Sequence, residues 1–229
     1  MMFRLGSEWM LTPYRLAVYL PTKTAVIADP HLGYRDARRR CGDAIPIASP
    51  DDELALLKTA CAALDLVDIV VAGDLCEAWL DGDLIATFTN ALDLLHLRLR
   101  AIVPGNHDRG WGEFRDQLPF HADGVQLGRW TVHHGDRAAP SGPSVMGHVH
   151  PAWRTTGETQ PCYLIRPHRI VLPAFSLDAA GGAVNCDPRW RGYQSIAIAG
   201  ERLVDHGVLG DNVGNEHRPR RRGLRGRLS

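Results

Sequence analysis

Five short polar clusters carry residue types able to do chemistry: Asp29-Pro30-His31, Gly73-Asp74, Gly105-Asn106-His107-Asp108, His133-His134-Gly135-Asp136 and Gly147-His148-Val149-His150. Their donors are oxygens and imidazole nitrogens, with no thiolate. That set suits Mn, Fe, Zn or Co rather than a cysteine-built structural zinc. The donors outnumber what one ion can take. Asp74, at the end of the middle of three expected strands, is placed to bridge two ions with one carboxylate oxygen to each. His148 and His150 are two residues apart. On a strand such residues point to the same face, so one imidazole could reach each ion. Singly, each cluster has a plain explanation: a Gly-Asp turn, a capped loop after Gly105, a pair of surface histidines. Their ordered joint occurrence, each beside an apolar run, is what points to a metal site.

The elements that must position these clusters follow from the apolar runs. Leu16–Leu20 and Thr24–Ala28 predict strands, the second stopping at Asp29. Asp51–Leu64 predicts a helix, with Pro50 before it, acidic residues in its first turn and apolar residues at helical spacing. Asp68–Ala72 is a continuous apolar strand ended by Gly73, Leu84–Leu99 has helical periodicity, and Ala101–Val103 is a short strand stopped by Pro104-Gly105. This β-α-β-α-β order predicts parallel strands with crossover helices, buried on both faces. Open α/β sheets bind ligands at the carboxyl ends of their strands, so the first three clusters should converge. Beyond residue 120 come short candidate strands separated by Gly and Pro: Trp130–His133, Val145–Val149, Tyr163–Ile165, Arg169–Leu172, Gln194–Ala199 and Arg202–Asp205. The expectation is one α/β domain over residues 1–210, with two packed sheets, and a basic disordered tail over 211–229.

Composition bounds the rest. At 229 residues, 45% hydrophobic and 23% charged, the chain can bury one large core. No apolar stretch is long enough for a membrane span, and Met1–Leu16 carries Arg4, Glu8 and Arg15 with no apolar signal region, so a cytoplasmic protein is expected. The five cysteines are odd in number and form no CxxC pair, which argues against a disulfide framework or a thiolate zinc site. Net charge is zero, yet residues 216–229 hold six Arg and one Glu, leaving 20 basic and 25 acidic side chains in the other 215 residues. An acidic body is not the profile of a dedicated nucleic-acid-binding domain. Bound cations could attract a phosphate substrate where net charge does not.

The order Asp29-x-His31, Gly73-Asp74, Gly105-Asn106-His107-Asp108, His134-Gly135 and Gly147-His148-x-His150 resembles the calcineurin-like metallophosphoesterases. The resemblance spans residues 16–205. It implies a four-layer αββα sandwich of two facing mixed sheets, and hydrolysis of phosphoesters by two divalent ions, Mn foremost, with Fe, Zn or Co as alternatives. Carried over by position, it implies that Asp29, His31 and His150 hold one ion, that Asn106, His134 and His148 hold the other, and that Asp74 bridges them. His107 would then stand beside the scissile phosphate as a non-ligating histidine, oriented by Asp108. His133 competes with His134, which is preferred because it directly precedes the glycine. A narrower likeness lies in Ala28-Asp29-x-His31-Leu32-Gly33 and in the stretch Cys162–Gly182. These are similar to the PdeM subgroup of bacterial phosphoesterases associated with DNA ligase and repair exonuclease genes, and to small archaeal phosphoesterases. That likeness implies a nuclease in the DNA damage response, with DNA as substrate and a functional association with a ligase and an exonuclease. Pro30 departs from the subgroup's usual Leu, and Cys76-Glu77 stands where a His is expected nearby.

Arg109 directly follows the third cluster and is the candidate phosphate contact. Arg35, Arg38 and Arg39 could share a helical face suited to phosphate, or simply be a solvated one. Trp79 and Trp111 each follow a cluster and could stack on bases or be packed. The alternative function is a phosphatase or phosphodiesterase acting on small nucleotides. A non-catalytic scaffold is disfavoured by the intact ligand set.

Overall fold

A computed structural model of the chain describes residues 2–46, 54–179 and 181–210. The first sheet takes six strands in the order β1 (Phe3–Leu5), β2 (Trp9–Leu11), β3 (Ala17–Tyr19), β4 (Thr24–Ile27), β5 (Asp68–Ala72) and β6 (Arg98–Val103). Strands β1 to β4 pair with one another in antiparallel succession. Strands β4, β5 and β6 are parallel, as the β-α-β-α-β reading requires. Helix α1 (Tyr34–Arg40) follows β4, α2 (Ala55–Ala63) precedes β5, and α3 (Gly82–Leu94) joins β5 to β6. The expected start of the 51–64 helix lies outside the described residues, as does the 211–229 tail.

The second sheet takes β7 (Val125–Leu127), β8 (Trp130–His133), β9 (Ser144–Met146), β10 (Pro151–Arg154), β11 (Thr159–Arg166), β12 (Arg169–Val171), β13 (Gly182–Ala183), β14 (Gln194–Ala199) and β15 (Arg202–Val208). Its spatial order is β13-β10-β11-β12-β9-β8-β7, with β14 pairing β11 and β15 pairing β14. The architecture is therefore α/β with two mixed sheets facing each other, as expected.

Alternation along the central strands sets the layers. Val26, Val70, Ala72 and Ala101 pack against Val132, Val145, Tyr163 and Ile196 of the second sheet. Their neighbours Ala25, Ile27, Ile69, Val71 and Ile102 face the other way, onto Leu57 of α2 and Phe88 and Leu92 of α3. Both faces of β4 and β5 are thus buried, which is why those strands are apolar throughout. The outer layer of the second sheet is thin: Cys162, Leu164, Val171 and Ala197 are covered by Val184 and Tyr193, beside single turns of 3-10 helix at Val184–Cys186 and Pro188–Trp190.

Some boundaries differ from those expected. Helix α3 begins at Gly82, where the Asp81 carboxylate accepts from the Asp83 and Leu84 amides in the manner of an N-cap. It ends at Leu94 rather than Leu99, because His96 adopts a left-handed φ of 55°. Strand β6 correspondingly starts at Arg98, whose guanidinium donates to both Asp68 carboxylate oxygens, at 2.8 and 3.0 Å. The 145–149 strand stops at Met146, before Gly147. Among the described residues no helix is long and apolar enough to cross a membrane. None of the five cysteines forms a disulfide, and Cys76 and Cys162 are buried.

Tyr163 of β11 ties the sheets together. Its fully buried hydroxyl lies 2.7 Å from the Thr12 carbonyl and 2.9 Å from the Leu16 carbonyl, both in the β2–β3 connection of the other sheet. Tyr163→Phe is expected to lower the unfolding free energy by about 1–2 kcal/mol, the cost of leaving a buried acceptor unpaired. Urea denaturation checks this, and a midpoint unchanged from wild type would contradict it.

Candidate metal centre

Backbone hydrogen bonds zip together the loops that leave β4, β5 and β6. The Asp29 amide donates to the Gly73 carbonyl (3.1 Å), His31 to Asp74 (3.0 Å), Leu32 to Leu75 (2.9 Å) and Glu77 to Leu32 (3.1 Å). Trp79 and Arg109 pair in a parallel bridge. From the second sheet, the Gly147 amide donates to the His134 carbonyl at 3.0 Å. The two sheets meet where the His148 amide donates to Asp29 Oδ2 at 2.8 Å. All five polar clusters of the sequence thereby reach one seam.

Ligand atoms of Asp29, His31 and His150 lie within 4.8 Å of one another, as do those of Asp74, His134 and His148. The groups adjoin, since Asp74 Oδ2 lies 3.4 Å from His134 Nε2 and 4.0 Å from His31 Nε2. One carboxylate oxygen therefore faces both groups, while the other, Oδ1, accepts the His107 amide at 2.8 Å. The Asn106 side-chain oxygen lies 3.1 Å from His134 Nε2. The seven residues assigned to metal by the resemblance are thus neighbours here, and a third group of possible ligands, His31, Glu77 and His107, shares His31 with the first.

Several observations fit a cation. Asp29 Oδ1 is buried with no hydrogen-bond donor. Imidazole nitrogens face each other, His31 Nε2 to His150 Nε2 at 3.4 Å and His148 Nδ1 to His134 Nε2 at 3.1 Å. Among the described residues neither Asp29 nor Asp74 has a Lys or Arg partner. A buried carboxylate without a counter-charge is strongly unfavourable. A divalent ion with oxygen and imidazole ligands would supply that charge. Burial pulls the His31 imidazole down to about 4, against the attraction of Asp29, so it is neutral at pH 7, the form that ligates.

His148 and His150 reach different groups, but not for the reason the spacing suggests. Neither is on a strand. Both have left-handed backbones, with φ of 69° and 42°. Asp29, His31 and Asp74 share that conformation, at 52°, 47° and 47°. Non-glycine residues adopt it at a cost of about 1–2 kcal/mol each, and such strain gathers at functional sites. Close approach fixes two glycines as well. A Cβ on Gly73 would stand 1.9 Å from His134 Nδ1, and one on Gly147 would stand 2.4 Å from Asp29 Oδ2.

Glu77 was not singled out as a site residue by its sequence. Its carboxylate lies 2.8 Å from His31 Nδ1, without the alignment of a hydrogen bond, and 3.9 Å from His107 Nδ1. Its carbonyl lies 2.7 Å from the same His107 nitrogen. Burial raises the Glu77 carboxyl, offset by His107. The Gly-Asp-x-x-Glu spacing was visible, but only the loop path shows where Glu77 reaches. Glu77, rather than Asp108, is the partner that His107 meets. Asp108 instead accepts the Gly105 amide at 2.9 Å and the Cys76 amide at 3.1 Å, bracing one loop against the next. Burial pushes its carboxyl up to about 6, with the two amides opposing.

His134 joins the second group and His133 does not. The latter ends β8 with a buried Nε2 that has no partner. Arg109 is exposed and has no ion-pair partner among the described residues. Arg35 is clamped on Asp178 at 2.8 and 3.0 Å, Arg38 pairs with Asp43 at 2.6 Å, and Arg39 lies 3.9 Å from Asp36. Those arginines are engaged by carboxylates. Trp111 is half-buried against Phe120, whereas Trp79 is exposed.

No family model and no curated protein matches this chain. Among solved structures, the chain is similar to the nuclease MPE of Pseudomonas putida, with a TM-score of 0.68 and 20% identity over 90% of this chain and 98% of that one. At that identity the likeness establishes the shared fold.

Gly147→Ala is expected to displace Asp29 and to reduce bound divalent metal per chain to less than half that of the wild type, read by elemental analysis after dialysis. The buried histidines also give the metal-free protein a pH dependence. Burial takes His31 and His133 down to about 4 from 6.5. Their contribution to stability is present above pH 6.5 and is lost as pH falls toward 4. Asp108, raised by burial, acts in the opposite sense over that window, so the histidine contribution is read by difference. The melting temperature of His133→Leu should fall less than that of the wild type between pH 7 and pH 4.5. Parallel curves would contradict the assignment.

Proposed function

We propose that this chain is a metal-dependent phosphodiesterase of the calcineurin-like type, acting on nucleic acid. The observation that carries the proposal is Asp74 Oδ2, which faces both ligand groups at once. Asp29, His31 and His150 would hold one ion and Asn106, His134 and His148 the other, with Asp74 between them. Manganese is the proposed ion. Bound there, a pair of divalent cations supplies Lewis acidity toward phosphoryl oxygens and can lower the pKa of a water to about 7. The resemblance of the motif order, and the shared fold with a nuclease, support a polymeric substrate. DNA, and a role in its repair, extend the same proposal.

The chain's own residues account for the leaving group. With His107 Nδ1 committed to the Glu77 carbonyl, the other ring nitrogen is the one able to carry a proton toward substrate. Hydrolysis splits a P–O bond, adds a hydroxyl to phosphorus and requires a proton on the departing oxygen. His107, in its protonated form, would deliver it as a general acid, a contribution of about 10²–10⁴-fold. Glu77 holds His107 through its carbonyl and stands against His31 through its carboxylate, coupling the acid to the first ligand group. Arg109 would engage a neighbouring phosphate.

The test is hydrolysis of bis(p-nitrophenyl) phosphate and of a dinucleotide with Mn, Mg or Zn. Asp74→Asn should abolish turnover of both. His107→Ala should slow the dinucleotide by about 10²-fold or more and the nitrophenyl ester less, because nitrophenolate departs without a proton. Equal losses on both substrates would remove the general-acid role. Full activity of Asp74→Asn would remove the centre.

A further inference from the structure

Trp79 is 64% exposed, and it stands beside the candidate centre. The chain reaches it two residues after Glu77, whose carbonyl holds His107. It is fixed there by its bridge to Arg109 and by the Leu80 amide, which donates to the Arg109 carbonyl at 3.0 Å. The indole rests on Gly110, where a Cβ would stand 3.0 Å from Trp79 Cε3. It is therefore backed by bare main chain and otherwise open. Other tryptophans have ring partners, as Trp111 has Phe120 and Trp153 has His206. Among the described residues Trp79 has no ring or cation partner.

An indole left open to water beside a phosphodiesterase centre offers a flat apolar face that phosphate cannot use and that a nucleobase, flat and with a π-face of its own, covers far better than a sugar. We propose that Trp79 is a stacking platform for a nucleobase next to the scissile phosphate, with Arg109 binding an adjoining phosphate from the paired segment. The inference rests on the function proposed above and names what that site would grip. Every base has a π-face, so such a platform tolerates sequence while demanding a base. It makes Trp79 a specificity-determining residue: it selects esters that carry a base over those that do not.

The test is fluorescence anisotropy of labelled oligo-dT and of an abasic oligonucleotide of equal length, both with hydrolysis-resistant phosphorothioate linkages, with the manganese-loaded full chain at low salt. Trp79→Ala should weaken oligo-dT binding about tenfold, within the range known for base–aromatic stacking, and leave the abasic strand unchanged. Trp79→Phe should restore most of the loss. Arg109→Ala should weaken both strands alike and flatten the salt dependence. Competition by thymidine 5′-monophosphate separates the two sources of a base. Tight competition assigns the platform to free nucleotides and weak competition to a base within a chain, and either upholds stacking. Equal effects of Trp79→Ala on both strands, or none on either, would overturn it. So would a dimer lost in Trp79→Ala with oligonucleotide affinity intact, which would give the ring to a second copy. Wild-type hydrolysis of bis(p-nitrophenyl) phosphate, measured alongside, isolates the parent proposal. A chain that binds dT through Trp79 but splits no diester loses that proposal and keeps the platform. A chain that splits diesters without distinguishing dT from the abasic strand loses only the platform.

Discussion

Two carboxylates, Asp29 and Asp74, are buried at the seam between the sheets, facing imidazoles but with no Lys or Arg to balance them among the described residues. Each gives one oxygen to a backbone amide, of His148 and His107 respectively. Each turns its other oxygen toward imidazoles. Removing two such charges from water is among the most unfavourable things a fold can do. The left-handed backbones at Asp29, His31, Asp74, His148 and His150 add to that burden. The arrangement makes physical sense if positive charge arrives from outside the chain. Stability and metal loading would then be one property rather than two.

The sheets divide the labour. The first supplies the carboxylates, Asn106 and His31 from the ends of parallel strands. The second supplies His134, His148 and His150. Neither sheet holds a complete ligand group, so the geometry is only as good as the packing between them. That packing is large side chains against small: Trp9, Trp130 and Tyr163 lie among Ala17, Ala28, Ala72 and Ala101. The Tyr163 hydroxyl adds a directional link across the same interface. A core that interdigitates in this way resists sliding, and sliding is the motion that would separate Asp29 from the His148 amide.

Much of this was legible in the residues. Strands 68–72, 130–133 and 194–199 fall where their apolar runs do, because burial imposes a pattern too regular to miss. Strands β1, β2, β7, β10 and β13 have two to four residues each, too few to show a period, and exist because a distant partner pairs with them. The helix over 84–99 was overextended because Leu95, Leu97 and Leu99 remain apolar, while the turn at His96 depends on a backbone angle that composition does not display. At the site, donor types and their places after strands were readable. The Glu77 contacts were not, since they depend on how two loops lie side by side. The His-x-His pair was read on a strand, yet its imidazoles diverge through two left-handed residues instead. The basic tail, with its separate charge, lies outside the described residues.

The candidate ligands run from Asp29 to His150, and the last three lie in the loops that follow β8 and β9 of the second sheet. During synthesis, a ribosome-bound stretch ending before His134 would display the carboxylates with His31 and Asn106 but without the three histidines of the second sheet. Such a fragment could carry an ion only loosely and could not assemble the pair. The full set of donors would therefore come together only after both sheets had emerged from the ribosome. A centre divided between two sheets is in this way withheld from the nascent chain until both have packed.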